Sequence, residues 1–278
     1  MNNDYFSWPD GDSSETNQSG DDLSQVKDYK QSINNSYYQD DSGFTFHAVG
    51  VILLLALIFY CVTNPSYGFF AICLAINVLL HELGHYTAGK AFGCVMREVS
   101  VFFIPAVTFK ANGRSSLNPS FNTWRDTKWT LGVLPFGGVT LFMNTTMPLT
   151  GDRRHSPFLN HKTAGQRLLI HSAGVLVNLL TFVVCSIALS FIPATGMLAF
   201  FVEELKMIAF VLTVINVLPF HPLDGSSVLI TIYEMVTGHA PSEQFMTIFK
   251  IVGGVLMVCL FFLAPEIINS LIGMLMPR

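Results

Sequence analysis

The chain has 278 residues, of which 51% are hydrophobic and only 12% charged, with a formal net charge of -4. Its mean hydropathy of +0.48 argues against an ordinary soluble domain, and the weak negative charge against a nucleic-acid surface; this is the composition of a membrane protein. Cys61, Cys73, Cys94, Cys185 and Cys259 fall mostly in apolar runs without paired spacing, so they read as small core residues, not as a disulfide framework or a cysteine zinc site.

Residues 1–44 carry nine acids against Lys27 and Lys30 and are rich in Asp, Ser, Asn and Gln. Such a segment buries too little apolar surface to offset its ordering entropy, so it is expected to be a disordered acidic tail. Tyr37 and Tyr38 leave open a docking role. No basic stretch leads into an apolar core at the N-terminus, so the first span is expected to direct insertion itself.

Residues 46–63 form the first apolar run, closed by Asn64 and Pro65, and residues 67–92 form the second. The very short turn between them predicts antiparallel neighbours. The second run contains His81-Glu82-Leu83-Gly84-His85. On a helix the two histidines, four residues apart, share a face. They have the spacing for one zinc ion, with Glu82 placed to take the proton of an attacking water. Alone, five residues with two free positions recur by chance. In an apolar span, however, two histidines and a carboxylate are costly to keep and mark a functional site.

Between the second and third spans, residues 99–109 are β-branched and aromatic, and residues 133–142 contain Pro135 and the pair Gly137-Gly138. These predict short strands or a re-entrant hairpin, with Trp124 and Trp129 suited to the membrane interface. Residues 167–192 are the third span, with Asn178 inside it. Glu203, Glu204 and Lys206 read as a membrane boundary. Residues 207–233 follow as a fourth span interrupted by Pro219, Pro222 and Gly225, residues 245–263 as a fifth, and residues 267–276 as a short sixth.

Nine basic residues between the second and third spans, Arg97 through Arg167, face only Glu98, Asp126 and Asp152, which places this segment and the tail in the cytoplasm. The His pair then lies about 10 to 15 Å from the inner end of its span, at about 1.5 Å per residue. A hydrolytic zinc needs a third protein ligand. The candidates are Asp224, Glu203, Glu204, His171 and His221. Asp224 stands out because prolines open its helix and its depth, about 15 Å, matches that of the His pair and of Asn178.

Taken together, His81-Glu82-x-x-His85, Pro135-Phe136-Gly137-Gly138-Val139, Gln166-Arg167 leading to Ala173-Gly174 and Asn178, and Asn216-x-x-Pro219 with Leu223-Asp224-Gly225 resemble the site-2 protease family of intramembrane zinc metalloproteases. The resemblance covers roughly residues 67–230, and the ordered combination is more specific than any one motif. It implies an all-α polytopic membrane protein of about five to six transmembrane helices with a small membrane-associated β-hairpin, residues 45–278 being one protease domain. It also implies Zn²⁺ held by His81, His85 and Asp224, Glu82 as the catalytic acid and base, and Asn178, Asn216, Gly137 and Gly138 near substrate or oxyanion. For the two asparagines, helix-helix hydrogen bonding is the competing reading.

The chain departs from the family at Val175 and His221, where proline is usual. His221 reads either as a supporting residue of the metal site or as a polar residue at its inner mouth, and His171 as an interhelical hydrogen-bonding group. There is no room for a PDZ domain between the third and fourth spans and no C-terminal CBS domain, so a minimal core is expected. The implied activity is cleavage of transmembrane protein substrates in the lipid bilayer, by a multi-pass protein of the plasma or inner membrane with a cytoplasmic N-terminus. A catalytically silent client-binding protein and a metal transporter are the alternatives; the intact Glu82 and the lack of a second intramembrane site argue against them. The oligomeric state is not legible.

Overall fold

The computed structural model describes residues 43–111, 123–144 and 156–275. The acidic tail up to residue 42, the Arg114 region and Arg153-Arg154 lie outside the described residues. Among the described residues six α-helices accompany a small sheet that packs against the first two of them: β1 Gly43–Phe46, α1 Ala48–Thr63, α2 Pro65–Ala91, β2 Met96–Lys110, β3 Lys128–Phe142, α3 Ala164–Leu189, α4 Met197–Val217, α5 Asp224–Thr237 and α6 Glu243–Leu275.

Local chemistry sets these boundaries. Asn64 closes α1, its backbone N–H and its side chain both donating to the Tyr60 carbonyl at 2.9 and 3.0 Å. Pro65 then opens α2, where its missing N–H costs nothing. A capping box starts α3: Thr163 Oγ1 accepts from the Gln166 N–H at 3.2 Å while Gln166 Oε1 accepts from the Thr163 N–H at 3.0 Å.

Among the described residues two helices, α2 and α3, are long and apolar enough to cross a membrane, and α1 is a shorter apolar helix. In α3 the usual arrangement is inverted: Leu180, Val184 and Ile187 are exposed, whereas Gly174 and Asn178 are buried. Small and polar residues turn inward and large apolar ones outward, which suits a helix solvated by lipid. Asn77, fully buried on α2, donates to the Cys73 carbonyl at 3.0 Å and across to the Leu205 carbonyl of α4 at 3.2 Å.

The sheet exceeds the predicted hairpin. β1, at the edge of the segment read as tail, pairs antiparallel with β2, Gly43 opposite Lys110 and Phe46 opposite Val107. β2 and β3 each double back: Glu98 faces both Lys128 and Leu141, and Ser100 both Thr130 and Val139. The reversal in β2 falls at Phe102 and Ile104, with φ of 70° and 56°, and that in β3 at Gly137, with φ of 115°. Left-handed backbone at Phe102 and Ile104 is costly for non-glycine residues and is held by pairing on both flanks.

Two boundaries differ from expectation. The interrupted span begins ten residues earlier, at Met197, and runs through Glu203 and Lys206, which pair at 2.7 Å one helical turn apart and so leave the helix intact. The break falls at residues 218–223, where Pro219 and Pro222 prevent continuation. Residues 245–263 and 267–276, read as separate spans, instead lie almost wholly in the single helix α6, which passes through Pro265.

At the α2 end nearest the sheet, Cys94, Met96, Leu159 and Ile170 form a buried cluster edged by Tyr86, Ala88, Phe92 and Phe142. Burial there pushes the Cys94 thiol up to about 11, in keeping with an unreactive packing residue.

Candidate metal centre

α2 brings His81, Glu82 and His85 into the interior, all buried. α5 brings Asp224 as its first residue, because the break after α4 starts a new helix there. The three side chains converge: His81 Nε2 and His85 Nε2 lie 3.2 Å apart, and Asp224 Oδ2 lies 3.0 and 3.1 Å from them. Ligands about 2.1 Å from a tetrahedral zinc stand about 3.4 Å apart, so the triangle is close to that of a three-ligand site with a fourth position left over.

The hydrogen bonds behind the histidines fit the same reading. His85 Nδ1 lies 2.8 Å from the Ile170 carbonyl. A carbonyl only accepts, so Nδ1 carries the proton and Nε2 keeps its lone pair for a metal. Asn178, fully buried, places its carboxamide against His81 Nδ1, with Nδ2 at 3.0 Å and Oδ1 unpartnered. A half-turn of that amide exchanges the two atoms. Oδ1 then accepts from His81 Nδ1–H, the orphaned oxygen gains a partner, and His81 also offers Nε2.

Gly174 makes room for this arrangement. A Cβ there would stand 2.3 Å from His85 Nε2 and 2.6 Å from His81 Nε2, so no other residue fits beside the two imidazoles. The donor set and its supports therefore fit a zinc ion, and among the described residues His81, His85 and Asp224 are the group with metal-binding spacing.

On the other side of the site stands the sheet. Thr140 Oγ1 donates to Glu82 Oε2 at 2.7 Å, and a Cβ on Gly138 would come within 2.8 Å of Glu82 Oε1. Gly138 therefore lies against the carboxylate, and Gly137 forms the turn just before it. Asn216 donates to the Leu212 carbonyl of its own helix at 3.0 Å and makes no hydrogen bond to the His-His-Asp group. His171 is partly buried on α3, one residue beyond Ile170. His221 lies in the break between α4 and α5, where a Cβ on Gly253 of α6 would meet its backbone at 2.5 Å. Glu203 and Glu204 lie on α4 outside the cluster.

Sequence reasoning did not single out Thr140, the Ile170 carbonyl or the steric role of Gly174. For Thr140 a signal existed: it stands two residues beyond Gly138, and alternate strand residues share a face. Backbone carbonyls leave no such mark.

A metal-ready triad with an adjacent glutamate, three of these four residues borne on the apolar helix α2, defines a metallohydrolase site. The chain belongs to peptidase family M50, whose model matches residues 69–206 and 193–260, and this bears out the resemblance to site-2 proteases. Two curated relatives, both named "Putative zinc metalloprotease", are similar over part of the chain. One, from Chlamydia trachomatis, is 28% identical over 118 residues, covering 40% of this chain and 17% of that protein. The other, from Mesorhizobium japonicum, is 31% identical over 131 residues, covering 42% of this chain and 32% of that protein. The match thus spans less than a third of each relative's length. Among solved structures, the Site-2 Protease from Methanocaldococcus jannaschii aligns with 80% of this chain and 80% of that chain at 19% identity and a TM-score of 0.44.

Proposed function

We propose that this protein is an intramembrane zinc metalloprotease that hydrolyses peptide bonds within transmembrane segments of membrane-protein substrates. The observation that carries the reading is the convergence of Asp224 on His81, His85 and Glu82, the last three borne on α2, a helix long and apolar enough to cross a membrane. On this reading residues 45–278 act as one domain with five to six spans, and the N-terminus is cytoplasmic. The contact of Arg167, at the start of α3, with Glu234, near the end of α5, puts those two helix ends at one level. That is what a shared cytoplasmic face requires.

His81, His85 and Asp224 would hold the zinc. When bound it supplies a Lewis acid that polarises the scissile carbonyl and makes a water acidic enough to attack near neutral pH. Glu82 takes the proton of that water and passes it to the leaving amine. Ile170 and Asn178 fix the imidazole tautomers, and Asn178 and Asn216 are the side chains assigned to substrate or a developing oxyanion.

A helical substrate hides its peptide bonds, and exposing one in lipid leaves backbone groups unsatisfied at several kcal/mol each. β3 offers replacement bonds. β1 covers the far edge of the sheet at residues 107–110, while residues 138–141 pair with β2 on one side and lie beside Glu82. An unwound substrate added to that strand would present its backbone next to the zinc.

The test measures bound metal, metal flux across the membrane and cleavage of co-expressed single-span substrates together. Stoichiometric zinc with cleavage in the wild type, and zinc without cleavage in Glu82→Gln, support the reading. Zinc without cleavage in both would favour a silent client-binding protein. Metal flux without cleavage would favour a transporter.

A further inference from the structure

We propose that Thr140 is the positioning residue of Glu82, so that the strand assigned to substrate also aims the catalytic carboxylate; the proposal rests on the protease reading above. Glu82 is only 3% exposed. A buried carboxylate needs a donor, and among the described residues Thr140 is the side chain that supplies one, Oγ1 donating to Oε2 at 2.7 Å. The same hydroxyl lies 3.3 Å from the Glu82 carbonyl, so the shorter contact takes the proton.

The geometry of the strand makes this contact directional. Residues 138 and 140 share a face, and both meet Glu82: Thr140 at Oε2, and Gly138 at Oε1 and Cγ, where an added Cβ would stand at 2.8 Å. One oxygen is thus tethered by a hydroxyl, and the other lies in the space left by the missing side chain. Residue 139, between them, faces away from the carboxylate and pairs with Ser100. β2 therefore holds the strand in register, and the strand holds the carboxylate. A base that must take a proton from water and return it to an amine gains most from a fixed orientation. Here that orientation is set from the sheet, because α2 donates no side-chain hydrogen bond to Glu82.

The role separates from strand formation and from substrate docking. Thr140→Val keeps the β-branched shape and the strand propensity but removes the donor. Thr140→Ser keeps the donor in a smaller side chain. The assay is cleavage of a single-span substrate by the purified full chain in detergent, with zinc content, kcat and KM measured for wild type, Thr140→Val, Thr140→Ser, Thr140→Ala and Glu82→Gln.

The expected result for Thr140→Val is full zinc, unchanged KM and a kcat about 10- to 100-fold lower, the range implied by losing a hydrogen bond to a charged group. Thr140→Ser recovers most of that loss. If Thr140→Val does not fold, the contrast between an active Thr140→Ser and an impaired, zinc-loaded Thr140→Ala carries the same test. Wild-type kcat in Thr140→Val overturns the proposal. So does a rise in KM alone, which would make Thr140 a docking residue, or a Thr140→Ser as impaired as Thr140→Val. Normal cleavage by Glu82→Gln would instead overturn the protease reading, so the two failures are distinguishable.

Discussion

The two walls of the site are built on different principles. The helical wall, α2 with α3 and α5, presents side chains: His81, His85 and Asp224 converge to within 3.2 Å, backed by Asn178 and the Ile170 carbonyl. The sheet wall presents backbone, with a single hydroxyl from Thr140 and an absent side chain at Gly138. A helix pairs most of its backbone internally and offers mainly side chains, the Ile170 carbonyl being the backbone group that α3 lends to His85, whereas a strand at a sheet edge has unpaired N–H and C=O groups. On the proposed function, metal binding falls to the first wall and substrate unfolding and carboxylate placement to the second.

If that division holds, changes to the helical wall should remove metal and activity together, and changes to the sheet wall should leave metal in place. The largest effect is expected for His81→Ala or Asp224→Ala, each of which removes one of three protein ligands: zinc measured by atomic absorption should fall to background and cleavage with it. Retention of zinc in either variant would break the assignment.

Gly174→Ala comes next. Its added carbon would stand 2.3 Å from His85 Nε2, so we expect weakened zinc binding in a competition titration against a chelator, with the helices still formed by circular dichroism. For Asn178→Ala, which removes the partner of His81, the expected loss is about 10- to 100-fold in zinc affinity; wild-type affinity would show that the amide does not orient the ring.

Val139→Pro tests the sheet wall. It removes a backbone donor from the strand paired with Ser100, so cleavage of helical substrates should fall while zinc content is unchanged. Wild-type cleavage by that variant would refute strand addition. The smallest effect is expected at the Arg167–Glu234 pair, which is only partly exposed. Arg167→Met should lower thermal stability modestly without altering zinc content.

The helical wall was largely legible in the sequence and the sheet wall only in outline. His81 and His85 declare themselves through four-residue spacing within an apolar run, and Asp224 through the prolines that break its helix. Each is a local signal. The start of α4 was misplaced because Glu203 and Lys206 looked like an end when read singly and are a compatible pair when folded. The doubling of β2 and β3 was hidden because reversal occurs at Phe102 and Ile104, residues that ordinarily avoid positive φ. β1 was missed because a four-residue strand has no stability apart from the edge it joins. Thr140 was missed because a hydroxyl contact with Glu82 spans 58 residues of sequence.

The central claim is that this site cuts within the bilayer, and the most direct measurement is the position of the cut. A single-span substrate carrying tags at both ends would be co-expressed with wild type or Glu82→Gln, and the released fragments mapped by mass spectrometry. The account predicts new termini inside the substrate's apolar span with the wild type and none with Glu82→Gln. Termini confined to the aqueous flanks, or the same cut in both, would contradict it.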